Sequence, residues 1–243
     1  MIQVTYTNMC DKSFNRMYRG LMTTATDGIA LTFTTPDVVP ISLSGRLHLP
    51  REGVQAGQWP AAILCHPQPL VSDMDDPLIV ACAQALAANG IAALRFNFRG
   101  VPPSTGTMTD GRLEPLDIAA AFALLQARPD IDGNRIAIVG HAFGGFVGLV
   151  YASIDNRIST VVSISPPWFR LQPDLAMALR QPILIVTGAD DEVCPQFKID
   201  PWLHTTTGTH GLVIIPQAQH LMRGFETAAT TQVITYMQRW KRA

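Results

Sequence analysis

Residues 136–153, IAIVGHAFGGFVGLVYAS, decide the fold. The stretch starts as a run of β-branched and small apolar residues, Ile136 to Val139, which fits a strand buried on both faces. It then passes through Gly140, Gly144 and Gly145 into a pattern that reads as a helix. So tight a strand-to-helix turn strains the backbone of its central residue, at about 1–3 kcal/mol. Gly140 and Gly144 fit because side chains there would collide across the turn. The central residue is Ala142. A serine at this point would complete Gly-x-Ser-x-Gly, the elbow that lifts a nucleophile above a sheet. Glycine would suit a turn without chemistry better, so alanine reads as a serine seat that lacks its hydroxyl. The plainer alternative is a glycine-rich turn that packs a helix closely on a strand.

Outward from this turn the texture repeats. AAILC (61–65), IAALRFNF (91–98), RIAIVG (135–140), ISTVVSIS (158–165), PILIVTG (182–188) and GLVIIP (211–216) are short runs, mostly apolar on both faces. Helical patterns lie between them at Pro77–Asn89, Glu114–Ala127, Gly145–Ser153 and from about Phe225 to Trp240. AANG closes the first with glycine at the expected stop, and IDGNR (131–135) reads as a turn. Earlier, ISLSGRLHLP alternates Ile41, Leu43, Leu47 and Leu49 with polar neighbours, as a half-wet edge strand does. ALTFTTP is its hairpin partner. An antiparallel edge followed by βαβ repeats predicts an α/β fold, a mainly parallel doubly wound sheet. One domain is expected over 29–243, with 1–28 an arm that holds at most a short helix around Lys12 to Met22. Little room is left between SISPPWFRLQPD and QPILIV for a cap domain.

The chain has 243 residues, 47% hydrophobic and 15% charged, with a net charge of −1. That balance excludes disorder and argues against nucleic acid as a partner. No apolar stretch is long enough to span a membrane, and the N-terminus lacks a secretory pattern. Cys10, Cys65, Cys82 and Cys194 are scattered and suggest reduced thiols in a cytoplasmic protein. His48, His204 and His210 show no ligand spacing, so no metal and no cofactor are expected. The oligomeric state stays open, a homodimer among the options.

Three further loops sit where such sheets collect chemistry, at the carboxyl ends of strands. In LIVTGADDEVCP an acid cluster follows a strand, and Asp191, or else Asp190, could orient an imidazole. The plainer alternative is a solvated turn or a helix cap. In LVIIPQAQHLMRG, His220 lies between the last strand and the last helix, where it could swing over the sheet as a general base. Elbow, acid, histidine is the chain order of one triad class. The fourth loop, CHPQPLVSDMDDP, should give a backbone N–H to an oxyanion together with the N–H of Phe143. Pro67 and Pro69 have none to give, so Gln68 is the best donor and Leu70 the second.

These motifs resemble the α/β-hydrolase superfamily, in particular its small lidless members with a His-Pro-x-Pro first loop and a strand ending Phe-Asn-Phe-Arg-Gly, here CHPQP (65–69) and RFNFRGVPPSTG (95–106). The resemblance runs from about Ser44 to Arg239. It implies a Ser-Asp-His triad at 142, 191 and 220 and an oxyanion hole from Phe143 and the 66–70 loop. It also implies that Arg99 and Ser104 brace the site. His66, Leu70, Met74, His141 and Trp168, with Phe169, are expected around a shallow pocket for a small ester or acyl substrate. Two departures stand out: LVSDMDDP replaces the glycine pair that usually follows His-Pro-x-Pro, and Ala142 replaces the serine. Cys65, Ser104 and His141 have no placed base that would make them substitutes. Three accounts remain: a serine esterase with its nucleophile replaced, a natural enzyme using Asp191–His220 as a general base (lyase, cyclase or hydrolase), and a non-catalytic binding protein.

Overall fold

The computed structural model describes residues 27–50 and 58–242. Among the described residues eight strands form a single sheet: β1 (Ile29–Thr34), β2 (Ser42–His48), β3 (Trp59–Cys65), β4 (Ala92–Phe96), β5 (Ile131–His141), β6 (Ile158–Ile164), β7 (Ile183–Gly188) and β8 (His210–Ile215). Their order across the sheet is β1-β2-β4-β3-β5-β6-β7-β8. β1, β2 and β4 pair antiparallel, Ile29 opposite Leu47 and Leu47 opposite Leu94; every later pairing is parallel. This is the α/β sheet with an antiparallel edge that the hydrophobic runs predict.

Helices cover both faces. α1 (Pro77–Ala88) and α6 (Glu226–Arg242) pack on one side; α2 (Glu114–Gln126), α3 (Phe143–Ile154), α4 (Pro173–Ala178) and α5 (Gln196–Leu203) pack on the other. β3 shows why its run has no polar alternation. Ala61, Ile63 and Cys65 enter the core under α2 and α3, whereas Ala62 and Leu64 enter the core under α1. Both faces of a strand so placed must be apolar. Asp76 starts α1 by accepting the N–H groups of Leu78 and Ile79 at 3.1 and 3.4 Å, with Pro77 at the first helical position.

Two sequence expectations shift. IDGNR is not a turn: β5 begins at Ile131, which is buried and stands opposite Trp59, and the ladder changes register before Ala61. The Trp59 N–H bonds the Asp130 carbonyl at 2.9 Å, which draws the segment into the sheet. The elbow helix also starts two residues early, at Phe143, because Phe146 N–H already reaches the Ala142 carbonyl at 3.0 Å. α5 carries Pro201 in its interior and has no counterpart among the patterns read from the sequence. The expected arm over 1–28 and Cys10 lie outside the described residues, save for Asp27 and Gly28. Asp27 pairs with Arg46 and Arg95, each at 2.8 Å. Among the described residues no helix is long and apolar enough to cross a membrane.

Candidate active site

Ala142 holds φ 49° and ψ −114°, a conformation that L side chains rarely adopt, and caps α3 with no side-chain hydrogen bond. The turn can close so tightly only because its neighbours are bare. A Cβ on Gly140 would overlap the Gly144 carbonyl, and one on Gly144 would overlap the Cys65 carbonyl. The first turn of α3 therefore rests on the end of β3. With no side-chain cap, the N–H groups that open α3, Phe143 first, have no acceptor within the helix.

The acid and the histidine meet beside this turn. His220 Nδ1 lies 3.1 and 3.3 Å from the two carboxylate oxygens of Asp191. The Asp191 side chain is buried and also accepts the N–H groups of Val193 and Cys194 at 2.9 and 2.8 Å. Burial works to raise its pKa, but the His220 hydrogen bond and charge, with the Cys194 N–H, outweigh it and hold the carboxyl below its ordinary value. The two loops are joined by backbone: Asp190 N–H bonds the Ala218 carbonyl at 3.0 Å, and Ala189 N–H bonds that of Ile215 at 2.9 Å. Asp190 itself is exposed, so of the two acids only Asp191 is turned inward. The His220 side chain keeps 24% of its surface, and among the described residues its Nε2 has no hydrogen-bond partner. His141 Nε2 lies 3.3 Å from the His220 carbonyl, which sets the histidine loop next to residue 142.

The loop after β3 is stiffened by its prolines and by His66. The Phe98 N–H donates to His66 Nε2 at 3.2 Å, so the ring proton sits on Nδ1 and is donated to the Pro67 carbonyl at 2.7 Å. Gln68 accepts the Val71 N–H at 3.1 Å. Among the described residues the N–H groups of Gln68 and Leu70 have no acceptor. The Gln68 side-chain amide instead contacts the Met108 sulfur at 3.8 Å.

The residues expected around a pocket divide. Leu70 and Trp168 are exposed, with Phe169 beside Trp168 in a short 3₁₀ turn, Trp168–Arg170. The Trp168 N–H bonds the Val193 carbonyl at 3.0 Å, which ties this wall to the acid loop. His66 and His141 expose nothing, and Met74 is nearly buried. These three are corrected from pocket lining to internal struts: the Met74 N–H bonds Asn97 Oδ1 at 2.7 Å and its carbonyl accepts Arg95 Nη1 at 3.0 Å. Arg99 is buried against Asp117, with nitrogen–oxygen distances of 2.7–2.9 Å, and against Asp37 at 3.0 Å. Ser104 accepts the Ser44 N–H at 2.9 Å and donates to the Asn97 carbonyl at 2.8 Å, so its hydroxyl is spent. Cys65 is fully buried and its thiol is pushed up by burial, which removes it as a nucleophile. Among the described residues no three His, Cys, Asp or Glu side chains gather in a metal-binding cluster. Sequence reasoning missed Asp76, whose carboxylate faces His141 and Arg223. Its place just before Pro77 and an apolar helical run is an N-cap signal that could have found it.

The profile of the alpha/beta hydrolase fold family matches residues 60–181. An uncharacterized protein from Rickettsia prowazekii is 34% identical over 110 residues, 44% of this chain and 45% of that protein. The quorum-quenching protein AidA from Acinetobacter baumannii is 35% identical over 91 residues, 36% of this chain and 30% of its own. The chain thus spans less than half the length of either relative. A solved structure of an α/β serine hydrolase without a lid, from Xanthomonas campestris, superposes with a TM-score of 0.76 at 29% identity, covering 89% of this chain and 96% of that one. With a doubly wound sheet, a glycine elbow after β5 and no large cap, this chain belongs to the alpha/beta hydrolase family.

Proposed function

We propose that this site is the acyl-transfer centre of a small carboxylic ester hydrolase whose nucleophile position is filled by Ala142. The observation that carries the reading is the strained φ of 49° kept by Ala142 beside a hydrogen-bonded Asp191–His220 pair. Such strain has a use where a side chain must stand above the sheet. With serine at 142, His220 Nε2 takes the hydroxyl proton as Oγ bonds the ester carbonyl carbon. The N–H groups of Phe143 and Gln68 receive the oxyanion, and His220 returns the proton to the departing alcohol. Water then attacks the acyl group by the same route. A methyl group can neither give the proton nor form the bond. What remains for this chain is binding and the oxyanion donors, roughly 10³–10⁴ over water. The open approach past Leu70, Trp168 and Phe169, without a lid, suits short acyl or small aryl esters. No cofactor enters this chemistry.

The test is Ala142→Ser. The variant should cleave p-nitrophenyl acetate at least ~10³-fold faster than the parent and should be labelled by a fluorophosphonate. A folded variant that does neither overturns the reading. A second reading is favoured by the open Nε2 of His220: the pair activates water or a carbon acid directly. In that case the unaltered chain turns over a substrate with a pH profile set by one imidazole, and His220→Ala abolishes it.

A further inference from the structure

A second carboxylate–imidazole couple lies behind the first, and no step above uses it. One oxygen of Asp76, Oδ1, caps α1 and lies 3.7 Å from Nδ1 of His141; the other, Oδ2, lies 3.4 Å from Arg223 Nη2. His141 directly precedes Ala142, and its ring is fully buried. Its Nε2 lies 3.3 Å from the His220 carbonyl, while its Nδ1 has no hydrogen-bond partner.

Both neighbours of the ring are acceptors. A backbone carbonyl can only accept, so Nε2 carries a proton and donates it to the His220 carbonyl, with the Nδ1 edge turned toward Asp76. Burial works to raise the Asp76 pKa, yet His141, Arg223 and the Ile79 N–H outweigh it and keep the carboxyl low. The charged and titratable groups around the ring are Asp76 at the start of α1, Arg223 beyond it, and His220 on the loop before α6.

We propose that His141 is a positioning residue for His220, a buried ring that holds the His220 carbonyl from Nε2 while its other edge rests against the Asp76 end of α1. Asp191 fixes the His220 ring and His141 fixes its backbone, and the two constraints together aim Nε2. The proposal rests on reading His220 as the base. The tie also joins the loop that carries Gln68 to the elbow and to the histidine loop, so all three reacting groups share one frame.

In the Ala142→Ser background, kcat and KM on p-nitrophenyl acetate are measured for His141→Phe, His141→Gln and Asp76→Asn. Asparagine still caps α1, so that variant removes the charge and spares the helix start. Misaimed Nε2 should lower kcat about tenfold or more in the Phe and Asn variants with KM little changed. His141→Gln should recover part of the loss, because its amide N–H can reach the His220 carbonyl. Thermal melting identifies any variant that fails to fold. Three folded variants with parental kcat overturn the proposal. The second measurement needs no ester cleavage: amide hydrogen exchange in the loop around His220 should be faster in His141→Phe than in the unaltered chain. Unchanged exchange in the folded variant overturns the proposal. Faster exchange supports it whether or not Ala142→Ser cleaves esters, so the two readings can fail separately.

Discussion

His66 and His220 each follow a strand at its carboxyl end, β3 in the middle of the sheet and β8 at its margin, and their surroundings differ in kind. The backbone takes both ring nitrogens of His66, and burial lowers its pKa to about 4. His220 spends one nitrogen on a buried carboxylate and leaves the other open, with a quarter of its side-chain surface in solvent. A histidine after a strand is therefore uninformative by itself. What decides its use is how many of its nitrogens the fold consumes.

The contrast can be broken at several points. The largest effect is expected at the acid. In the Ala142→Ser background, Asp191→Asn should cost about 10⁴ in kcat, since the ring loses its orientation and its counter-charge. Asp190→Asn should leave kcat unchanged. Equal losses at both positions, in an ester assay, would mean that the acid has been misassigned.

His66 should matter to stability instead. His66→Leu strips the buried Phe98 N–H of its acceptor and should cost about 1–3 kcal/mol, read as a lowered melting temperature. His220→Ala should stay within about 1 kcal/mol of the parent. The pH dependence follows in sign. The folded state resists a proton that the unfolded chain accepts near pH 6.5, so the share of stability due to His66 is present above that pH. It is lost as pH falls toward about 4, amounting to about 3 kcal/mol. Denaturant unfolding near neutrality and near the lower value should show this slope, reduced in His66→Leu. His48, whose pKa burial and Arg95 also lower to about 4, keeps part of it in both proteins.

The smallest effect concerns the floor between the two loops. Ala142→Gly relieves a positive φ and should raise stability by up to about 1 kcal/mol, a melting shift of a few degrees. A lower melting temperature would show that the seat is unstrained.

The parallel core was legible because strands covered on both faces leave no polar residue in the run, as in Ala61 to Cys65. The elbow was legible because close backbone contact admits only glycine at 140 and 144. Asp191 and His220 were nominated through chain order, which fixes the strand ends on which they stand, and their side chains meet within hydrogen-bond distance. The choice between Asp190 and Asp191 was not in the sequence, since it depends on which side chain the turn directs at the Val193 and Cys194 N–H groups. His66, His141 and Met74 were misread for one reason: a residue type suited to a pocket suits a buried strut equally well, and only neighbours distant in sequence, such as Phe98, Asp76 and Asn97, distinguish the two. IDGNR carries turn residues, but Asp130 and Ile131 were captured by Trp59, more than 70 positions earlier in the chain.

Gly144 abuts the carbonyl end of β3, so main chain alone sets the gap between the helix start at Phe143 and the loop that holds Gln68. That gap works as a fixed gauge. Under the proposed function, the exposed side chains of Leu70, Trp168 and Phe169 can drift and alter which esters enter while the spacing of the two N–H groups stays constant. A bulkier residue at 144 would prise the gauge open, and no replacement on the rim could close it again.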